Sequence, residues 1–199
     1  MKNYCSILLS LRRRNGQWYR NTPVRRILEL DIIPYLLTHN IPVGSAILDI
    51  GVDWYTRGYS SLFPGRHYVS LEIDRSKTRF TSKERHIWGS ALSLSEHFEP
   101  ASLDFILCNG VIGWGIDTED DIQTFFYQTS HVLKPGGLLL VGWNDNEDNK
   151  PIVHPDCAAN GFNLWLYQPC GSSSLNTHTA KQHIFSFYQR RVETNTVID

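Results

Sequence analysis

The chain has 199 residues, the length of one domain, and its 41% apolar and 20% charged residues supply a core and exclude a disordered chain. A net charge of -1 argues against the strongly basic surface of a dedicated nucleic-acid binder. The charge is uneven: Met1 to Leu28 holds seven Lys or Arg and no acid, whereas Asp117 to Asp121 holds four carboxylates in five residues. Four cysteines, at 5, 108, 157 and 170, form no CxxC pair, which speaks against a zinc ribbon or redox motif and for free thiols in a reducing compartment. The longest apolar run, around Leu138 to Val141, is far too short to span a membrane. Arg12-Arg13-Arg14 follows Ile7-Leu8-Leu9, the reverse of a secretory signal. An organelle transit peptide is one reading of this start; a cytoplasmic protein is the expectation.

In chain order, Thr22-Pro23 reads as an N-cap with Pro in the first turn of a helix, carried on by Val24, Ile27, Leu28 and Leu30. Pro34 is expected to kink or interrupt it before Asn40. Ala46 to Ile50 is a short apolar run between glycines, the pattern of a buried parallel strand. A second strand is expected at His67 to Ile73, a short helix or loop at 75 to 84, and a weak third strand at Ile87-Trp88. Asp104 to Cys108 is a clear buried strand. Thr118-Glu119-Asp120-Asp121 resembles a capping box ahead of a helix that ends at Lys134, where Pro135-Gly136-Gly137 stops it before the strand Leu138 to Trp143. Two more strands, at 161–167 and 183–188, flank a polar loop from Pro169 to Thr179 and suggest an antiparallel pair at a sheet edge. Strand–helix alternation of this kind argues for a parallel sheet with helices on both faces.

Four segments, with roughly Ala46 to Arg190 between them, resemble the class I S-adenosylmethionine-dependent methyltransferases. Leu48-Asp49-Ile50-Gly51 is similar to that family's glycine-rich first motif, which implies that Asp49 and Gly51 approach the methionine part of the cofactor at a helix N-terminus. Glu72 follows Gly51 by 21 residues at the end of the second strand, the spacing of an acid that accepts hydrogen bonds from ribose hydroxyls. The competing reading of Glu72 is a solvated carboxylate at a strand end. Leu103 to Gly115 resembles the fourth strand and the loop after it, where substrate and methyl donor meet; Asn109 ends that strand. Many small-molecule methyltransferases carry Glu-His in that loop, where this chain has Gly113-Trp114, so Trp114 either walls the reacting groups or packs into the core. Val132 to Leu140, with its Lys-Pro-Gly-Gly turn, is the most specific match and bears on fold alone. Trp88-Gly89-Ser90-Ala91 resembles the adenine-contacting turn, with Ser90 in place of the usual Asp.

The chain departs from the family after Gly51. Val52-Asp53 stands where a small residue and a glycine are usual, so Asp53 is expected to repel the cofactor's carboxylate and attract its ammonium, and Arg57 is placed to pair with the carboxylate; either the loop is remodelled and still binds the cofactor, or binding has been lost. No histidine pair has the HxxxH spacing of a helical zinc site, and no metal is expected. His154 and His178, in late loops, are the histidines that reach toward the crevice as a candidate base.

The resemblance thus implies a Rossmann-like methyltransferase fold: α/β, a mostly parallel seven-stranded sheet with an antiparallel edge pair. Residues 1–40 are expected to form an N-terminal helical extension or lid and 41–199 the S-adenosylmethionine-binding domain. The implied activity is methyl transfer from S-adenosylmethionine to O, N or C of a small molecule. Catalytic candidates are Trp114 and His154; cofactor candidates are Asp49, Gly51, Asp53, Arg57, Glu72, Ser90 and Asn109. The alternatives are a non-methylating member of the same fold, as a regulatory binding protein or a cyclase or isomerase, and a nucleic-acid methyltransferase or binder. The second lacks support because Asn109-Gly110-Val111-Ile112 stands where amino-methylating DNA enzymes have (D/N)PP(Y/W). Acceptor and oligomeric state, a homodimer included, stay open.

Overall fold

Four segments rich in branched apolar residues line up side by side because each must bury both of its faces, with a shorter, partly exposed strand at the edge. The computed structural model describes residues 22–81 and 85–192. In it β1 (Ala46–Ile50), β2 (His67–Glu72), β3 (His86–Trp88), β4 (Leu103–Asn109) and β5 (Leu133–Asn144) run parallel. Antiparallel β8 (His183–Arg190) closes against β5, and its outer edge is shared by β6 (Phe162–Leu164) and β7 (Ser174–Asn176). The order is β3-β2-β1-β4-β5-β8-β6, with β7 beside β8. Among the described residues the sheet has eight strands rather than the seven expected: the polar segment expected to be loop pairs at 174–176 with the half of β8 that β6 leaves uncovered.

The direction of travel across the sheet reverses between β1 and β4. At such a switch the two neighbouring crossovers leave in opposite directions, and a crevice opens at the carboxyl ends of the strands.

Alternate residues of each strand face two separate cores. On one side Leu48, Ile50, Ile106, Cys108, Leu139 and Val141 pack beneath α3 (Glu119–Val132), which lays down Ile122, Phe125, Phe126 and Val132. On the other, Ile47, Phe105, Leu107, Leu140 and Phe187 pack against the N-terminal helical run. That run consists of α1 (Pro23–Arg26), a π-helical turn (Ile27–Ile32) and α2 (Ile33–His39). Pro34 does not interrupt it. Proline has no N–H to give the preceding turn, and the wider π turn, in which Ile33 N–H reaches Leu28 O, takes up the mismatch while Leu28, Ile32, Ile33 and Leu36 stay at 0–1% exposure.

Thr118 caps α3 as its pattern implies, its Oγ1 accepting from Asp121 N–H at 3.1 Å. The helix stops at Val132, and Pro135-Gly136-Gly137 forms a bulge inside β5: Leu103 pairs with Leu133, but Phe105 pairs with Leu138. The bulge is pinned by Asp104, whose carboxylate accepts from Ala46 N–H at 2.8 Å and from Lys134 Nζ at 2.8 and 2.9 Å. The short α4 (Pro155–Ala158) precedes β6. Among the described residues no helix is long and apolar enough to cross a membrane.

Candidate active site

Two adjoining cavities occupy the crevice. The first, of about 190 Å³, lies over the ends of β1, β2 and β4. The second, of about 790 Å³, lies between the N-terminal end of α1, the ends of β4 and β5, and the 177–181 loop. Tyr55, Lys77, Asn109, Gly110 and Trp114 line both and form the boundary.

The first cavity is built from the resemblance-bearing residues. Gly51 turns the chain off β1 at φ +94°, and a Cβ there would stand 2.8 Å from Val111 Cγ2, so the approach requires glycine. Glu72 is 6% exposed, and its two oxygens accept from Val52 N–H at 2.9 Å and Asp74 N–H at 2.8 Å. The carboxylate thus ties the turn after β1 to the end of β2, and each oxygen keeps a second lone pair for a ligand. Ser90 lines the cavity as the cap of the 3₁₀ turn Ala91–Glu96, its Oγ accepting from Leu92 N–H at 3.1 Å. Gly89 must lack a side chain because the His97 ring fills that place.

After Gly51 the expected helix N-terminus is absent. The chain passes through turns to the 3₁₀ segment Tyr59–Leu62. Asp53 organises those turns: its Oδ1 accepts from Trp54 N–H at 2.6 Å, and its N–H and C=O both engage Thr56 Oγ1 at 3.0 Å. Its other oxygen meets Lys77 Nζ at 3.2 Å, so the charge expected to repel a cofactor carboxylate is answered by a lysine that lines both cavities. Asp53 lines the second cavity; Arg57 is exposed and lines neither, its place beside the site being taken by Lys77.

Asp49 also turns away. The two-residue period of β1 puts it with Ile47 on the face of the N-terminal helices, where it is 2% exposed and accepts from Tyr68 OH at 2.6 Å. Burial pushes its carboxyl up to about 6, against the pull of Tyr68 and of Arg25 nearby. Arg25, 5% exposed, belongs to the second cavity; it donates to Tyr59 OH, which donates to Glu29 Oε1 at 2.8 Å, and it lies 4.6 Å over the Tyr55 ring.

Trp114 is 56% exposed, so it is a cavity wall and not part of the core. Lys181 Nζ stands 5.9 Å from its ring. His178 lines the second cavity; His154 lines neither, because its Nδ1 accepts from Asp156 N–H at 3.3 Å at the start of α4 and its ring lies against Trp143. The histidine at the cavity floor is His183, 6% exposed, with Nδ1 2.7 Å from Asn144 Oδ1. Sequence reading missed His183, Asn144, Arg25 and Lys77 as site residues. A signal for His183 was present: a last strand antiparallel to β5 begins at the edge where the parallel strands end.

No protein-family model and no curated protein matches the sequence. Solved structures do. The N-methyltransferase NodS from Bradyrhizobium japonicum WM9 superposes with a TM-score of 0.65 at 12% identity, over 87% of this chain and 99% of that one. A TehB-like methyltransferase from Corynebacterium glutamicum gives 0.61 at 16%, over 89% and 98%. The 1,6-didemethyltoxoflavin-N1-methyltransferase of Burkholderia thailandensis, solved with its substrate and S-adenosylhomocysteine, gives 0.60 at 16%, over 96% and 90%. The fold of this chain is that of the class I S-adenosylmethionine-dependent methyltransferases.

Proposed function

We propose that the chain is an S-adenosylmethionine-dependent methyltransferase acting on O, N or C of a small molecule. The observation that carries this reading is the pairing of the two cavities across Asn109, Gly110 and Trp114, with a buried carboxylate, Glu72, facing the smaller one. That cavity alone is below the roughly 300–1,000 Å³ usual for ligand sites, and it reaches that range only together with its neighbour. A cofactor spanning the boundary and an acceptor in the larger space fit this division.

The residues present suit the cofactor. Glu72 has lone pairs for ribose hydroxyls, Gly51 and Gly110 allow close backbone approach, and the backbone and hydroxyl at Ser90 face the adenine end. Lys77 at the boundary supplies a cation for the carboxylate, in the role first expected of Arg57, and Asp53 lies beside it for the ammonium. When bound, S-adenosylmethionine supplies an electrophilic methyl group, so the protein needs mainly to position the acceptor and exclude water. Trp114, Tyr55 and the segments at 22–25 and 177–181 do this by walling the second cavity. The N-terminal segment is proposed as the cover of that cavity; residues 1–21 lie outside the described residues. A cytoplasmic location goes with this reading.

Calorimetric titration with S-adenosylhomocysteine tests it. Binding is expected, weakened at least about tenfold in Glu72→Gln, which loses a lone-pair set and the charge. Thermal melts of the variant separate lost binding from lost folding. Absence of binding to the wild-type chain would sink the proposal, whereas binding without methylated product over a broad acceptor panel would favour the non-methylating alternative.

A further inference from the structure

The second cavity is positively charged in a chain whose net charge is -1. Its lining holds three cations, Arg25, Lys77 and Lys181, and a single carboxylate, Asp53. Lys77 Nζ meets Asp53 at 3.2 Å, so those two offset each other and, in the reading above, serve the carboxylate and ammonium of the cofactor. Arg25 and Lys181 remain. They come from distant parts of the chain, Arg25 from α1 and Lys181 from the 177–181 loop before β8.

Each of these two cations stands over an aromatic ring that lines the same cavity. The Arg25 guanidinium lies 4.6 Å from the centre of the Tyr55 ring, and Lys181 Nζ lies 5.9 Å from that of Trp114. A ring face positions a cation without cancelling its charge. Glu29 and Asp49 lie near Arg25, Glu29 by way of the Tyr59 hydroxyl, but neither lines the cavity. Among the described residues Lys181 makes no ion pair. Both charges reach the cavity floor: burial first, then Arg25 and Lys181, push His183 down to about 3, so that imidazole stays neutral and adds no charge of its own. An excess of one sign in a concave, water-poor space draws in the opposite sign and turns away its own.

We propose that the acceptor held in this cavity is a flat aromatic acid, with its anionic group facing Arg25 and Lys181 and its ring against Trp114. The proposal rests on the methyltransferase reading above and narrows its small molecule to an anion. Arg25 is 5% exposed, so an acid group beside it is shielded from water and attracted more strongly than at an open surface. Trp114 is 56% exposed and offers apolar area for a ring to cover. The cavity, at about 790 Å³, has the size usual for a site that takes a small organic ligand. An acceptor bearing an ammonium group would be repelled by both cations and by the sulfonium charge of the methyl donor, whereas an anion is attracted by all three.

The test is a titration of the full chain, with S-adenosylhomocysteine present, by benzoate, benzamide, benzylamine and acetate. The first three share a ring and differ in charge; acetate keeps the charge and lacks the ring. Benzoate is expected to bind about tenfold more tightly than benzamide and than acetate, and benzylamine most weakly. Raising the salt from about 0.05 M to about 0.5 M should weaken benzoate about twofold to threefold and leave benzamide unmoved. Lys181→Gln, at an exposed loop position, should shrink the preference for benzoate over benzamide to about threefold, Lys181→Glu should abolish it, and Lys181→Arg should keep it. Trp114→Ala should weaken benzoate and benzamide alike. Phenyl phosphate beside benzoate tells which acid the wall prefers, and a preference for either over benzamide bears the proposal out. Benzamide or benzylamine binding as tightly as both acids, acetate binding as tightly as benzoate, or a preference untouched by Lys181→Glu overturns it. A chain that binds S-adenosylhomocysteine yet shows no preference for an acid loses only this inference. A chain that fails to bind S-adenosylhomocysteine loses the methyltransferase reading, and the acceptor role falls with it.

Discussion

Asp49 shows how a single side chain can belong to a motif by sequence and to the core by geometry. Its carboxyl is held at about 6 rather than the ordinary 3.8 because its charge is removed from water. The folded chain therefore keeps this proton up to about pH 6 and the unfolded chain only to about 3.8, so between those values the folded state binds more protons and stability falls as pH rises. Above pH 6 the buried charge costs on the order of 3 kcal/mol. Asp49→Asn keeps an acceptor for Tyr68 and removes the titration. Urea unfolding over a pH series should show a flatter profile from pH 4 to 6.5 and a gain of about 1–3 kcal/mol near neutrality; an unchanged slope would assign the effect elsewhere. Glu72 is the converse case: the residue and its spacing were legible, and the structure adds that it braces the turn after β1.

Among the elements, α3 and the β4–β5 pair hold the shape of the crevice, and each hangs on a local contact. Thr118→Ala removes the α3 cap and should cost about 1 kcal/mol in chemical unfolding, with no change in S-adenosylhomocysteine affinity because the helix start lines neither cavity. Asp104 and Lys134 separate two effects. Their ion pair is half-exposed and worth at most about 1 kcal/mol, so Lys134→Ala should be nearly silent. Asp104→Ala also strips the acceptor from Ala46 N–H at the start of β1 and should cost about 1–2 kcal/mol more. Equal costs in the two variants would show that the ion pair, and not the backbone bond, is what matters. The π turn before Pro34 belongs at this scale too. The proline was visible in the sequence, but whether the chain broke or widened depended on the apolar face that Leu28, Ile32, Ile33 and Leu36 present to the sheet.

For the whole molecule, ligand and fold are coupled through the crevice, since both cavities are walled by segments from across the chain. A ligand that binds only the folded state adds about 2.7 kcal/mol at one hundred times its Kd. For a chain of this size that corresponds to a rise in Tm of about 5–10 °C with saturating S-adenosylhomocysteine, reversed on dialysis. A melt that does not move at saturation would contradict the proposed binding of the cofactor.

The sequence by itself determined most of the strands, β7 excepted, and the parallel character of the central sheet. Ala46–Ile50, the second strand and the fourth were legible because a strand buried on both faces is a short run of branched apolar residues, a local property. Glu72, Gly51, Ser90 and Asn109 came with them, since each sits at a strand end or turn that the local pattern marks. What only the tertiary structure decided is which distant side chains meet there. Arg25 arrives from α1, Lys77 from the segment after β2 and His183 from a strand running the opposite way, and no spacing in the chain encodes that convergence. Asp49 and His154 left the site for the same reason: the face a strand residue points to and the loop a histidine caps are set by register and packing, which are non-local.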